Sequence, residues 1–356
     1  MADARVIPLG DGDRNARLAA SRAARKVGAT GPAAPRPRKP RAKPAAEATG
    51  YAEPDQSPPP AHLPADHGDD GVGAGRDGAG GTGLVDWLDF LRRRLTGEYA
   101  VDDIGFDAEL TDKVLLAALR PLYDHWFRVE TRGLENIPDT GGALVVANHS
   151  GTIALDAAMT QLAVHDHHPA HRDLRMLGAN LVFSTPFVGE LARKAGHTLA
   201  CNPDAERLLA DEQVVGVWPE GFKGIGKMFA DRYKLQRFGR GGFVAAALRS
   251  RAPIIPCAIV GAEETYPMIG NAKALARLLS LPYFPITPTF PWLGPLGLVP
   301  LPSRWVIEFG DPIPTDHYPA GAADDPMLVF NLTDQVRETI QQTLYRLLVQ
   351  RRGVFV

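Results

Sequence analysis

Cysteine is scarce in this chain, with two in 356 residues, Cys201 and Cys257. Both fall in apolar, strand-like segments, which offers neither a disulfide framework nor a metal-binding spacing and makes a reducing compartment the expectation. The N-terminus lacks the uninterrupted apolar core of a secretory signal. No run reaches the roughly eighteen apolar residues of a membrane span. The most apolar long stretch, Leu281 to Pro302, is broken repeatedly by proline and could not satisfy its own backbone in lipid as a helix. Charge of one sign is also missing, the net value being -2, so overall basicity cannot argue for nucleic acid. No glycine-rich nucleotide loop follows a strand, and no Gly-x-Ser-x-Gly nucleophile motif occurs.

The charge that is present is unevenly placed. The first fifty residues carry about seven net positive charges and the next thirty or so about five net negative. Residues 1–83 are rich in Ala, Gly, Pro, Arg and Asp, with little to bury, and disorder is expected. The basic block Pro35 to Lys43 reads as a solvated tail, or as a weak electrostatic attraction to anionic lipid.

Order is expected from Leu84. Leu84, Trp87, Leu88, Leu91 and Leu95 recur at helical spacing beside Arg92, Arg93 and Arg94. A second amphipathic segment runs from Glu109 to Val129, with Pro121 a kink or break. Segment 84–130 is either two helices packed on a core or a membrane-facing pair with Trp87, Phe90, Trp126 and Phe127 near the interface. Residues 131–356 then alternate between strand and helix. Strands are expected at Ala143–Ala147, Leu174–Leu177, Thr198–Cys201, Val214–Trp218, Pro253–Val260 and Trp305–Phe309. Helices are expected at Ile153–Ala163, Pro186–Lys194 and Gly242–Arg249. Another opens at Asn202-Pro203-Asp204 with a capping side chain, and a long amphipathic one runs from Met327 to Arg351. This alternation predicts an α/β fold, a mixed or mostly parallel sheet flanked by helices.

Two short segments carry chemistry. Asn148-His149-Ser150-Gly151 follows the strand Ala143–Ala147, and Asp156 stands seven residues past the histidine. Imidazole titrates near neutrality and suits the withdrawal of a hydroxyl proton. A carboxylate on its far nitrogen would fix the tautomer. Strand ends are where ligands bind in α/β sheets. A loop histidine and a helix aspartate without contact is the plain alternative. Pro219-Glu220-Gly221 follows a second apolar strand, and Gly221 lets backbone approach a ligand closely. Lys223, Lys227, Arg232, Lys234, Arg237 and Arg240 come after it. They form either a solvated face or a phosphate-binding surface with Lys223 as the leading candidate. His165, His167, His168 and His171 surround Pro169 in what reads as a surface loop rather than a metal site. The apolar, proline-rich segment Tyr283 to Pro302 could pack on the core, line an acyl channel or touch a bilayer.

The block Asn148-His149 … Asp156 resembles the first motif of the glycerolipid acyltransferases, the lysophosphatidic acid acyltransferase group. Val217 to Lys223 is similar to that family's Phe-Pro-Glu-Gly-Thr-Arg motif. Ile254 to Ile259 is similar to its fourth motif, an apolar strand with a central proline, and Thr198 to Asn202 lies where the second would fall. The resemblance covers roughly residues 130–315. It departs from the family pattern in two places. Six residues separate His149 from Asp156 where four are usual, so Gly151 and Thr152 are expected to bulge while Asp156 keeps its place. Some branches of the family, including ones of neutral-lipid synthesis, carry a longer spacing and a glycine after the histidine. The arginine that ends the family's second motif is missing from Leu199-Ala200-Cys201-Asn202-Pro203, and Arg207, one helical turn on, is the candidate substitute.

The resemblance implies an O-acyltransferase. His149 would act as general base oriented by Asp156, and Glu220 would bind the acceptor or order the site. Backbone N–H groups near either loop would hold the oxyanion. The donor would be acyl-coenzyme A as co-substrate, or an acyl carrier protein, with no cofactor and no metal. The acceptor would be a glycerolipid or lysophospholipid hydroxyl. The protein would lie on the inner, cytoplasmic face of the membrane without spanning it, and nucleic acid is not an expected partner. A non-catalytic lipid-binding protein of the same fold and an acyl-thioester hydrolase are the alternatives.

Overall fold

The computed structural model describes residues 83–239 and 241–355. Residues 1–82 of the expected tail, with its basic block, and Arg240 lie outside the described residues. The main sheet has seven strands: β1 (Glu130–Arg132), β2 (Ala143–Ala147), β3 (Leu174–Gly178), β4 (Thr198–Leu199), β5 (Val214–Val217), β6 (Ile254–Val260) and β9 (Val306–Phe309). Their spatial order is β1-β9-β6-β2-β5-β3-β4. Every pairing is parallel except β6 with β9. A separate two-stranded ribbon pairs β7 (Gly270–Asn271) with β8 (Pro285–Ile286).

The central strand explains the architecture. All five residues of β2 are buried, as parallel strands covered on both faces require. Leu144 and Val146 enter one core with Leu208, Val244, Leu248, Val336, Ile340 and Leu344. Ala143, Val145 and Ala147 enter the other with Leu116, Tyr123, Met159, Leu162 and Trp305. The period-two alternation of a strand thus divides one apolar run between two helical layers. The last helix, Pro326–Gln350, contributes a stripe of Val329, Leu332, Val336, Ile340, Leu344 and Leu347. Asp325 caps it by accepting from the Met327 and Leu328 amides, with Pro326 in its first turn.

The structure corrects several expectations. Pro121 does not break its helix: residues 108–126 run on by alternating α and wider π turns, which accommodate a residue that lacks an amide. Phe90 and Phe127 are not at an interface. Both are buried, and Phe127 stacks on Trp305 at 4.7 Å between ring centroids. Trp87 and Trp126 are exposed, Trp126 donating its indole N–H to the Pro300 carbonyl at 3.0 Å. Cys201, not Asn202, occupies the cap position of the helix Asn202–Ala210 and makes no side-chain cap bond. β1 and the β7–β8 ribbon were not anticipated, since two- and three-residue strands carry too few residues for a period; β9, expected as Trp305–Phe309, pairs antiparallel with β6 and makes the sheet mixed.

Candidate active site

β2 runs parallel to β5 on one side and to β6 on the other. The loops that leave their C-terminal ends therefore meet at one edge of the sheet, and the chemistry-bearing segments lie on these loops. Asn148 continues β2 by one residue in side-chain form. Its Oδ1 accepts the Ile259 N–H at 2.7 Å and its Nδ2 donates to the Ile259 carbonyl at 3.0 Å, tying the His149 loop to β6.

His149 and Asp156 are brought together. Nδ1 of His149 lies 2.8 Å from Oδ2 of Asp156. Asp156 is fully buried near the start of the helix Leu155–His167, and its carboxylate also accepts the Ser150 and Ala157 amides at 2.9 Å each. Amides at a helix N-terminus favour negative charge there. A carboxylate so placed accepts only, so in the neutral imidazole the ring proton sits on Nδ1 and the lone pair on Nε2. The His149 side chain is 13% exposed, and the described residues give Nε2 no hydrogen-bond partner.

The two extra residues before Asp156 are absorbed by a bulge. Gly151 has φ +95° and Thr152 has φ +65°, both left-handed, and the helix begins only at Leu155. A Cβ on Gly151 would approach the Ala262 carbonyl oxygen to 2.9 Å. The bulge is pinned from a distant segment. Thr152 Oγ1 donates to the Tyr266 carbonyl at 2.9 Å, and the Tyr283 hydroxyl donates to the Thr152 carbonyl. Burial pushes the Tyr283 phenol upward, with the nearby Asp156 charge adding to it, so it stays a donor at neutral pH.

Glu220 sits directly under the histidine. Its Oε1 accepts the His149 backbone N–H at 2.9 Å and its Oε2 accepts the Gln236 N–H at 2.6 Å. Lys227 Nζ lies 3.5 Å from Oε2 and 3.2 Å from Glu263 Oε1. With both oxygens engaged and the side chain buried, Glu220 holds the loop in place. Burial pushes the Glu263 carboxyl up to about 7, against the pull of Lys227.

Of the remaining candidates, Gly221 and Lys223 lie on the Glu220 turn through their backbone, and the Arg207 side chain is engaged elsewhere. Gly221 makes the turn with φ +53°. Lys223 is exposed. Arg207 pairs with Asp103 at 3.0 Å and with Asp211 at 3.8 Å on the surface. The histidines near Pro169 have partners of their own, His165 with Asp173 at 2.8 Å and His168 with the Ile137 carbonyl at 2.9 Å. Sequence reasoning missed Gly224, Glu263, Tyr266 and Tyr283, which stand 75, 114, 117 and 134 positions past His149, the first of them with no side chain to show. It placed Lys227 on a surface, although its side chain is only 4% exposed.

Two donors next to His149 are unspent. Among the described residues, Ser150 Oγ and Trp218 Nε1 are buried without a hydrogen-bond partner, as are nitrogens of Arg94 and Arg351 elsewhere. The Trp218 ring lies 6.0 Å from the His149 ring. By contrast, the backbone amides of His149, Ser150, Gly221, Lys223 and Gly224 already donate within the protein.

The sequence profile of the family described as Acyltransferase matches residues 128–260, which contain His149, Asp156, Glu220 and β6. An uncharacterized protein of Mycobacterium tuberculosis is 62% identical over 266 residues, 75% of this chain and 74% of that one. The Homo sapiens protein named DGAT1/2-independent enzyme synthesizing storage lipids is 26% identical over 211 residues, 54% of this chain and 55% of its own. The crystal structure of the 1-acyl-sn-glycerophosphate acyltransferase PlsC of Thermotoga maritima aligns with a TM-score of 0.47 and 17% identity, over 76% of this chain and 90% of that one. On the profile match, residues 128–260 of this chain belong to the acyltransferase family.

Proposed function

We propose that this protein transfers an acyl group from an acyl thioester, acyl-coenzyme A or an acyl carrier protein, to a hydroxyl of a glycerolipid or lysophospholipid. The observation that carries the reading is the 2.8 Å contact of His149 Nδ1 with Asp156, which directs the lone pair of Nε2 away from the carboxylate. Nε2 takes the proton of the acceptor hydroxyl as its oxygen attacks the thioester carbonyl carbon. The tetrahedral intermediate collapses with cleavage of the C–S bond, and the imidazolium returns its proton to the leaving thiolate. No protein nucleophile is needed.

Trp218 Nε1 and Ser150 Oγ, both without a partner, are candidate donors to the developing oxyanion, together with the Gly151 and Phe222 amides, which also donate to nothing among the described residues. Trp218→Phe keeps the ring and removes the N–H. Turnover is expected to fall about tenfold with little change in melting temperature, since Ser150 Oγ remains to share the charge. Steady-state kinetics and a thermal melt on the same preparation check this; unchanged kcat would remove Trp218 from the role.

The acceptor reading leans toward lipids that need no phosphomonoester grip. Arg207, the candidate replacement for the family's second-motif arginine, is spent on surface carboxylates, and the human relative is named for the synthesis of storage lipids. Action at a membrane surface fits the exposed apolar side chains of Phe187, Leu278, Trp292 and Leu296. Among the described residues no helix is long and apolar enough to cross a membrane. The test is thiol release from acyl-coenzyme A and from an acyl carrier protein thioester, with and without lysophospholipid, monoacylglycerol or diacylglycerol. Acceptor-dependent release with formation of the acylated lipid is the expected result. Release without acceptor would make the protein a hydrolase, and no release with any of these would leave lipid binding.

A further inference from the structure

A buried ionic cluster lies behind the histidine, and the proposed chemistry does not use it directly. The side chains of Lys227, Glu220 and Glu263 are 4%, 0% and 6% exposed. An ammonium withdrawn from water is costly unless closely paired, and here it stands between two carboxylates. The contacts form one chain. The Tyr233 N–H donates to Glu263 Oε1 at 2.9 Å, Glu263 faces Lys227, Lys227 faces Glu220, and Glu220 accepts the His149 N–H. Lys227 belongs to the loop that follows β5 and Glu263 to the turn that follows β6, the strands flanking that of His149. One ammonium therefore ties together the two loops that enclose the histidine.

We propose that Lys227 is a positioning residue for acyl transfer: clamped by Glu263, it holds the Glu220 carboxylate against the His149 amide and so sets where the imidazole stands. The turnover arm of this inference rests on the reading of His149 as the base. Lys227→Met alone leaves two buried carboxylates with no cation between them and is expected to lower the melting temperature as well as the rate. Lys227→Met/Glu263→Gln removes the surplus charge and is expected to recover the melting temperature. It leaves Glu220 with only its two amide donors, from His149 and Gln236.

If Lys227 positions the base, the double variant keeps a kcat about ten- to a hundredfold below the parent with the donor KM nearly unchanged, as small misplacements of a reacting group produce. If Lys227 matters only for folding, kcat returns together with the melting temperature, and the proposal is overturned. A second readout does not depend on turnover. In histidine-labelled full-length protein, with the resonances of His149 assigned by comparison with His149→Ala among the ten histidines, the double variant is expected to shift the His149 backbone amide and ring signals. Unmoved signals overturn the proposal whatever the rate does. If the parent itself transfers no acyl group, these spectra still decide the role of Lys227, and only the acyl-transfer reading falls.

Discussion

His149→Ala is expected to lower acyl transfer by about a thousandfold, within the range that a positioned general base contributes, and to leave the thermal melt in place. The rate would fall because the acceptor hydroxyl would lose the base proposed to take its proton. Among the described residues no other histidine contacts this site. His165, His168 and His171 hold Asp173 and backbone carbonyls elsewhere, and His197, lowered to about 4 mainly by its burial, pairs with Gln161. The fold survives because the bonds that shape the loop do not involve the ring. Asn148 keeps both contacts with Ile259, the residue 149 amide still donates to Glu220, and Asp156 keeps the Ser150 and Ala157 amides. Thiol release and lipid product, measured beside a melt on the same purified variant, check the result. Turnover near that of the parent would end the general-base mechanism.

The parts of this site that were legible in the sequence share one property: they lie within a few residues of a strong local pattern. β2 is a run of five apolar residues, and His149 and Asp156 follow it at the end of that run and the start of the next helix. The bulge at Gly151 and Thr152 was readable because a glycine stood where two surplus residues had to go. What failed to show depends on contacts distant in sequence. Thr152 is pinned by Tyr266 and Tyr283, 114 and 131 positions away, and no local pattern marks such a pair. Lys227 stood in a run of basic residues, where a solvated face is the ordinary outcome; its burial follows from Glu263, whose loop comes from a different strand. Phe90 and Phe127 illustrate a further limit. Helical spacing of aromatics shows that a face is apolar but not whether protein or lipid covers it, and here Trp305 covers Phe127.

Gly224→Ala is expected to reduce transfer by about a hundredfold, although it adds one methyl group at a helical position that favours alanine over glycine. The helix preference is worth about 1 kcal/mol and would stabilise the variant if nothing stood nearby. A Cβ at this position would lie 2.6 Å from the His149 carbonyl oxygen, 2.8 Å from the Glu220 Cβ and 2.9 Å from the His149 Cβ. None of these atoms is the free end of a flexible side chain. His149 is held from below by Glu220 and beside it by Asn148 through β6, so relief must come from moving the His149 loop or the short helix Phe222–Ile225. Either movement shifts the imidazole relative to Asp156, and a displacement near 1 Å at a reacting group costs on the order of 10²-fold. The loss should appear in kcat, with a weakened or altered His149 ring resonance in labelled protein. A Gly224→Ala variant with parental kcat would mean that the two loops slide past one another freely, which would also remove the physical basis for positioning by Lys227.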